Sequence, residues 1–152
     1  QGQIDAGADV VQLFDSWLGL VDEQSYRKHV LPYTKRILDS VRGKAPTIHF
    51  GTGVGHLLPA IRDAQPDMVS VDWRIRLEDA WEIVGHDKGI QGNLDPTMLF
   101  APWDQVEVAA RDILQQGVGR NGHIFNLGHG IHPDTDFNQL QRLSQFVHDF
   151  GR

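Results

Sequence analysis

No cysteine occurs among the 152 residues, which excludes disulfide bridges, thiolate metal sites and cysteine nucleophiles together. That absence is compatible with a reducing compartment. No apolar run approaches the roughly 20 residues that a membrane-spanning helix needs. Basic residues are in the minority, 14 Lys and Arg against 20 Asp and Glu, for a formal charge of −6. General nucleic-acid binding would need the opposite balance on some face, so no nucleic-acid partner is expected. Also missing are a Pro/Gly/Ser-rich linker, a low-complexity run and a charged-then-apolar leader, so no export signal is expected. The chain opens Gln1-Gly2-Gln3 without methionine and enters at once a pattern already under way. It therefore reads as a piece of something longer.

What is present fits one globular unit over residues 1–152. The chain is 40% hydrophobic, with 16 glycines and 7 prolines, ordinary values for a soluble domain. A length of ~150 residues suffices for one sizeable core. A β-rich run at Val10 to Phe14 ends in Asp15-Ser16. A helical pattern follows over 23–41, with Pro32 inside it predicting a kink or break. Strand 46–50 closes on Gly51-Thr52-Gly53, before a helix near 54–65. Strand 68–71 ends in Asp72-Trp73 and leads to a helix near 77–84. A weaker strand, 89–92, runs into Asn93-Leu94-Asp95-Pro96, where Asp95 reads as an N-cap. A helix near 103–116, a strand at 123–127 and an amphipathic helix near 137–150 complete the chain.

Five strand–helix units in strict alternation predict a parallel sheet with helices packed outside it. Ligands of parallel α/β folds sit at the C-terminal strand ends. Those ends hold the unusual residues here. His129 stands between Gly128 and Gly130, whose backbones can take conformations closed to other residues and approach a ligand closely. Its imidazole could donate a hydrogen bond to a carboxylate, or merely satisfy a loop carbonyl. Ser16 could bind a carboxylate or cap a turn amide; no Gly-x-Ser-x-Gly elbow surrounds it, so it is not read as a nucleophile. Gly51-Thr52-Gly53-Val54-Gly55 lacks the spacing of a phosphate loop and reads as a tight turn. His49 and His56 flank that turn without a third clustered ligand, so no metal is expected. His132 reads as a solvated loop residue. Asp72 stays open between acid and cap. Arg74 and Arg76 could attract anions, or only balance Glu78 and Asp79.

Taken together, several motifs become specific. Leu13-Phe14-Asp15-Ser16-Trp17, Leu31-Pro32-Tyr33, His49-Phe50-Gly51, Val71-Asp72-Trp73, Gln91-Gly92-Asn93-Leu94-Asp95-Pro96 and Asn126-Leu127-Gly128-His129-Gly130 stand in an order and spacing that resembles the uroporphyrinogen decarboxylase family. The resemblance covers essentially the whole chain. It implies a (β/α)8 TIM barrel, of which these residues form about the last five β/α units of eight. The implied reaction converts the four acetate side chains of uroporphyrinogen III to methyl groups, giving coproporphyrinogen III and CO2 in tetrapyrrole synthesis. It implies no metal or organic cofactor, a cytoplasmic setting and a homodimer in the full-length enzyme. Ser16 and His129 match family residues implied to contact the substrate, and Phe14 is expected to line the same cleft. The family's N-terminal arginines, central aspartate and tyrosine have no counterpart here, so no residue of this chain is assigned a catalytic role and the chain alone is expected to be inactive. Gln65-Pro66 replaces the family's usual Ala-Gly.

Two other readings are carried beside this one. A methyltransferase of the same superfamily would use zinc-bound thiol chemistry and is disfavoured by the lack of cysteine. A non-catalytic tetrapyrrole- or anion-binding module could be built on the same fold.

Overall fold

A computed structural model describes residues 1–150. Five parallel strands form one sheet, β1 (Val11–Asp15), β2 (Thr47–Gly51), β3 (Met68–Ser70), β4 (Gly89–Leu94) and β5 (His123–Leu127). Their spatial order is their chain order. A doubly wound open sheet reverses its strand order at a switch point; this one never does, which is the arrangement of a barrel wall. The five-unit α/β expectation holds.

Each strand is followed by one main helix: α1 (Leu31–Val41), α2 (Leu58–Asp63), α3 (Leu77–Val84), α4 (Trp103–Gln116) and α5 (Phe137–Asp149). Side chains alternate across a strand, and one set meets the helices. Val69, Val71, Ile90 and Leu94 pack there with Leu58, Ile61, Trp81 and Val106 in a continuous core. Trp81 is fully buried, and its indole N–H donates to the carbonyl of Lys88 at 2.8 Å. The other set, which includes Gln12, Phe14, Phe50, Ser70 and Gln91, faces a concave inner surface of mixed character.

The sheet is strongly curled. Gln12 on β1 and Gln91 on β4 lie three strand spacings apart, roughly 14 Å in a flat sheet. Their side-chain amides nevertheless approach to 3.4 Å across the concave face, while Gln91 also donates to the hydroxyl of Ser70 at 3.0 Å. Among the described residues, no helix is long and apolar enough to cross a membrane.

Where boundaries differ from the sequence reading, a local cause is visible. The pattern over 23–41 breaks before Pro32: Tyr26–Val30 form a wider π-type turn, and α1 restarts with Pro32 in its first turn. There its missing N–H removes no helical hydrogen bond. The expected helix 54–65 opens as a 3-10 turn over Gly55–Leu57 and becomes α-helical only from Leu58. β4 runs two residues past Gly92 because Asn93 and Leu94 pair with Asn126 and Leu127 of β5. Asp95 caps as expected, accepting from the backbone N–H of Thr97 at 2.8 Å, but what it opens is a 3-10 turn, Pro96–Phe100.

The Gln65-Pro66 departure falls on a strained residue. Gln65 follows the end of α2 with φ of 60°, the left-handed region. A non-glycine residue there costs about 1–2 kcal/mol, which glycine avoids. Gln65→Gly is expected to raise stability by about 1 kcal/mol in urea denaturation, despite the greater unfolded-state freedom of glycine. A destabilised variant would contradict that backbone account.

Candidate functional site

The loops at the C-terminal strand ends enclose two adjoining hollows. The larger, about 770 Å³, lies among the loops after β1, β2, β3 and β5; the smaller, about 410 Å³, opens over the concave face of the sheet. Ser16 and His129 border both. They extend from β1 and β5, the two outermost strands, so the curl of the sheet is what brings them to one place.

The second hollow has an aromatic wall. Phe14 meets Phe50 edge-on with ring centroids 5.8 Å apart, and Phe50 meets the ring of His129 at 6.2 Å. Phe14 is 68% exposed despite its size. Such an aromatic face, open to a ligand, is a stacking surface for another flat ring. Beside it stand polar groups at alternate strand positions: Gln12, Ser70, Gln91 and Asn126. Among the described residues, neither the Ser16 hydroxyl nor the His129 ring nitrogens make a hydrogen bond. Both border the hollows without a protein hydrogen-bond partner, so the structure shows neither the turn cap expected of Ser16 nor the loop-carbonyl contact expected of His129.

Of the two glycines around His129, only Gly128 is sterically required. Neither takes a positive φ. A Cβ at Gly128 would stand 2.8 Å from the backbone N of Trp73 and 2.9 Å from the Cα of Asp72, whereas one at Gly130 would meet nothing within 4 Å. Gly128 is needed because the ends of β5 and β3 nearly touch, and its N–H donates to the Leu94 carbonyl at 2.7 Å. His129 is thus set on a tightly packed crossing.

The turn 51–55 is a tight strand-to-helix turn, with Gly53 at φ of 66°. Its anchor is Asp72. That carboxylate is 2% exposed, accepts from the backbone N–H of Gly53 at 2.7 Å and from that of Arg74 at 3.1 Å, and pairs closely with the Arg74 guanidinium. Asp72 is therefore a loop fastener rather than a helix cap. The side chain of Asn93 donates to the carbonyls of Asp72 and Ile75 at 2.9 and 2.6 Å, fixing the same loop from β4. The Thr52 hydroxyl donates to the Ser16 carbonyl and joins the β1 and β2 loops.

The remaining sequence candidates lie elsewhere. His49 sits on the helix side of β2, 1% exposed, with neither ring nitrogen hydrogen-bonded, and burial pushes its pKa down to about 4. His56 contacts the Val21 carbonyl at 2.9 Å. No group of three or more potential metal ligands gathers among the described residues. His132 is solvated, beside Asp134. Arg76 pairs with Glu78. Sequence reasoning missed Trp17, Leu20 and Trp73, which wall the larger hollow. Large apolar side chains placed directly after strand ends were the available signal; in the structure Trp17 is 79% and Leu20 81% exposed, while Trp73 is half-buried.

The charge of the walls is distinctive. In a chain with 20 acids, no Asp or Glu lines either hollow among the described residues, and Arg74 is the permanent cation there.

Comparison with known proteins agrees with the motifs. The uroporphyrinogen decarboxylase (URO-D) family model matches residues 1–150. A curated uroporphyrinogen decarboxylase of Koribacter versatilis is 44% identical over 98% of this chain and 43% of its own length. One from Streptomyces griseus subsp. griseus is 49% identical over 97% of this chain and 40% of its own. This chain thus spans less than half the length of those relatives. Among solved structures, a methyltransferase from Methanosarcina mazei superposes with a TM-score of 0.84 over 97% of this chain and 44% of its own, at 23% identity. That last likeness concerns the fold alone.

Proposed function

We propose, since this chain belongs to the uroporphyrinogen decarboxylase family, that its two hollows form part of the site where the acetate side chains of uroporphyrinogen III lose CO2 to give coproporphyrinogen III. The observation that carries the reading is the convergence of Ser16 and His129 over an aromatic wall in hollows that, among the described residues, no carboxylate lines. A substrate bearing many carboxylates and pyrrole rings needs these two features. Acids in the wall would repel it, and aromatic rings can stack on it.

The chemistry follows from the substrate. A pyrrole carbon takes up a proton, and the ring becomes an electron sink. The bond to the carboxylate breaks, CO2 leaves with no bonding pair, and the exocyclic carbon is protonated as the ring returns its first proton. Each cycle consumes one proton and releases one CO2. In this chain Ser16 and His129 would hold carboxylates by hydrogen bonds, while Phe14 packs against a pyrrole face. Residues 1–152 act as one domain of a cytoplasmic enzyme that pairs as a homodimer and binds no nucleic acid. The groups that stabilise positive charge on the pyrrole would come from the part of the relatives' length that this chain does not span. Relatives named as decarboxylases support this reading over the methyltransferase one, which the fold likeness alone does not favour.

The test is a chimera in which this chain replaces the matching segment of the Koribacter versatilis relative. Turnover of uroporphyrinogen to coproporphyrinogen is expected. Ser16→Ala and His129→Ala in that chimera are expected to lower kcat/KM about tenfold each, the usual loss for a hydrogen bond to a charged group. A folded chimera without CO2 release would overturn the proposal, and full activity in both variants would remove these two residues from it.

A further inference from the structure

We infer that Arg74 is a further substrate contact, a forked donor that receives one carboxylate of the tetrapyrrole in the larger hollow. The inference rests on the functional reading above and assigns to it a residue that the motifs do not. Charge alone would not select this arginine, because Arg76 lies two residues away. Geometry separates them. Arg76 is turned to Glu78 at 2.7 Å and towards Asp112, outside the hollows that Ser16 and His129 share. Arg74 borders the larger of those hollows together with Ser16 and His129.

The guanidinium is held ready. Its carbon stands 4.5 Å from the centre of the Trp73 ring, and one terminal nitrogen, Nη1, is taken by buried Asp72. A guanidinium has five N–H donors in a rigid fork. Asp72 uses one end of it, and the side chain is still 56% exposed. The Asp72–Arg74 pair is formally neutral, and at long range that cancels its pull on an anion. Two features oppose that at short range. Asp72 is 2% exposed and shares its charge with the backbone N–H groups of Gly53 and Arg74, so the negative end is buried and already solvated by the protein. The positive end alone faces the hollow, and no acid lines that wall among the described residues. A carboxylate arriving there meets an oriented cation whose side chain has already lost much of its freedom.

The experiment measures binding of uroporphyrin III, the oxidised and fluorescent relative of the substrate, by quenching of the tryptophans, two of which (Trp17 and Trp73) line the hollow. Arg74→Gln is expected to weaken binding about tenfold, with the loss shrinking at high salt. Arg74→Lys keeps a charge beside Asp72 but lacks the fork, and is expected to fall between Gln and the unsubstituted chain. Arg76→Gln is expected to bind as the unsubstituted chain does. If Arg74→Gln binds normally while Ser16→Ala and His129→Ala bind weakly, the assignment to Arg74 falls and the functional reading stands. Should Arg74→Gln lose its native circular dichroism, Arg74→Lys decides, and full affinity in it overturns the forked contact. Absence of saturable binding by the unsubstituted chain overturns the reading of the hollow and this assignment with it.

Discussion

Lowering the pH from 7 to 5 is expected to remove about 2 kcal/mol of stability through His49 alone, and roughly 3 kcal/mol by pH 4. His49 is buried in β2 between its register partners Leu13 and Val69, and neither ring nitrogen has a protein partner. Desolvation lowers its pKa from 6.5 to about 4. Between those two values the unfolded chain binds a proton that the folded chain refuses. Stability from this group is therefore complete above about pH 6.5 and is lost as pH falls towards 4. Two other groups act in the same range. His123, also depressed by burial despite its contact with the Gly92 carbonyl, adds to the loss. Asp15, raised by burial, works in the opposite sense, because its folded form takes up a proton more readily than the unfolded one. A difference experiment separates His49 from both. His49→Leu replaces an unsatisfied polar ring by an apolar side chain of similar volume, so at pH 7 it should be near neutral or stabilising. Urea denaturation of both proteins at pH 7, 6 and 5 should show the variant losing about 2 kcal/mol less than the unsubstituted chain. Parallel losses in the two would mean that His49 is not the buried neutral group described.

How much of this was legible in the sequence depends on which physical signal each feature leaves. Residues Leu77–Val84, Trp103–Gln116 and His123–Leu127 form the elements that their patterns predict, with the same ends. In each, a strong apolar period coincides with local turn chemistry. β4 was under-read because Gly-Ile-Gln-Gly-Asn-Leu has weak strand propensity, and its last two residues owe their conformation to pairing with β5. Tertiary contact overrides propensity there. Ser16 and His129 were legible as residues at strand ends, where parallel folds bind ligands. The role of Gly128 was not, because it depends on Trp73 and Asp72, more than fifty residues away along the chain. Arg74 has acids on both sides in sequence, and only the fold decides that it turns to Asp72 and the hollow. His49 was hidden for a related reason. Thr47–Gly51 is buried throughout, so no exposed alternation betrays which face a given residue takes.

Gly19→Ala is expected to lower stability by roughly 3 kcal/mol and to open the larger hollow. Gly19 lies in the 3-10 turn Leu18–Leu20 that follows β1, and its N–H donates to the Thr52 carbonyl at 3.1 Å. A Cβ there would stand 2.2 Å from that same carbonyl oxygen and 2.8 Å from the Gly53 oxygen. Both obstacles are backbone, so no side-chain rotation relieves them. The two loops must part by about an ångström or more. Overpacking of this kind costs about 1–3 kcal/mol. Separation would also break the Gly19–Thr52 bond, loosen the Thr52 hydroxyl from the Ser16 carbonyl and draw Leu18, which is 2% exposed, away from the core. Against this, alanine restricts the unfolded chain and returns about 0.4–1 kcal/mol, too little to change the sign. For a chain of this size the net loss corresponds to a Tm lower by roughly 6–12 °C. Because Trp17 and Leu20 flank Gly19 and line the hollow, uroporphyrin affinity should fall in the same variant. Gly130→Ala supplies the contrast, since its Cβ would meet nothing within 4 Å, and it should stay within about 0.5 kcal/mol of the unsubstituted chain. If both alanine variants melt together, the β1 and β2 loops are not locked as described. If Gly19→Ala melts early yet binds uroporphyrin normally, the loops are locked but do not shape the site.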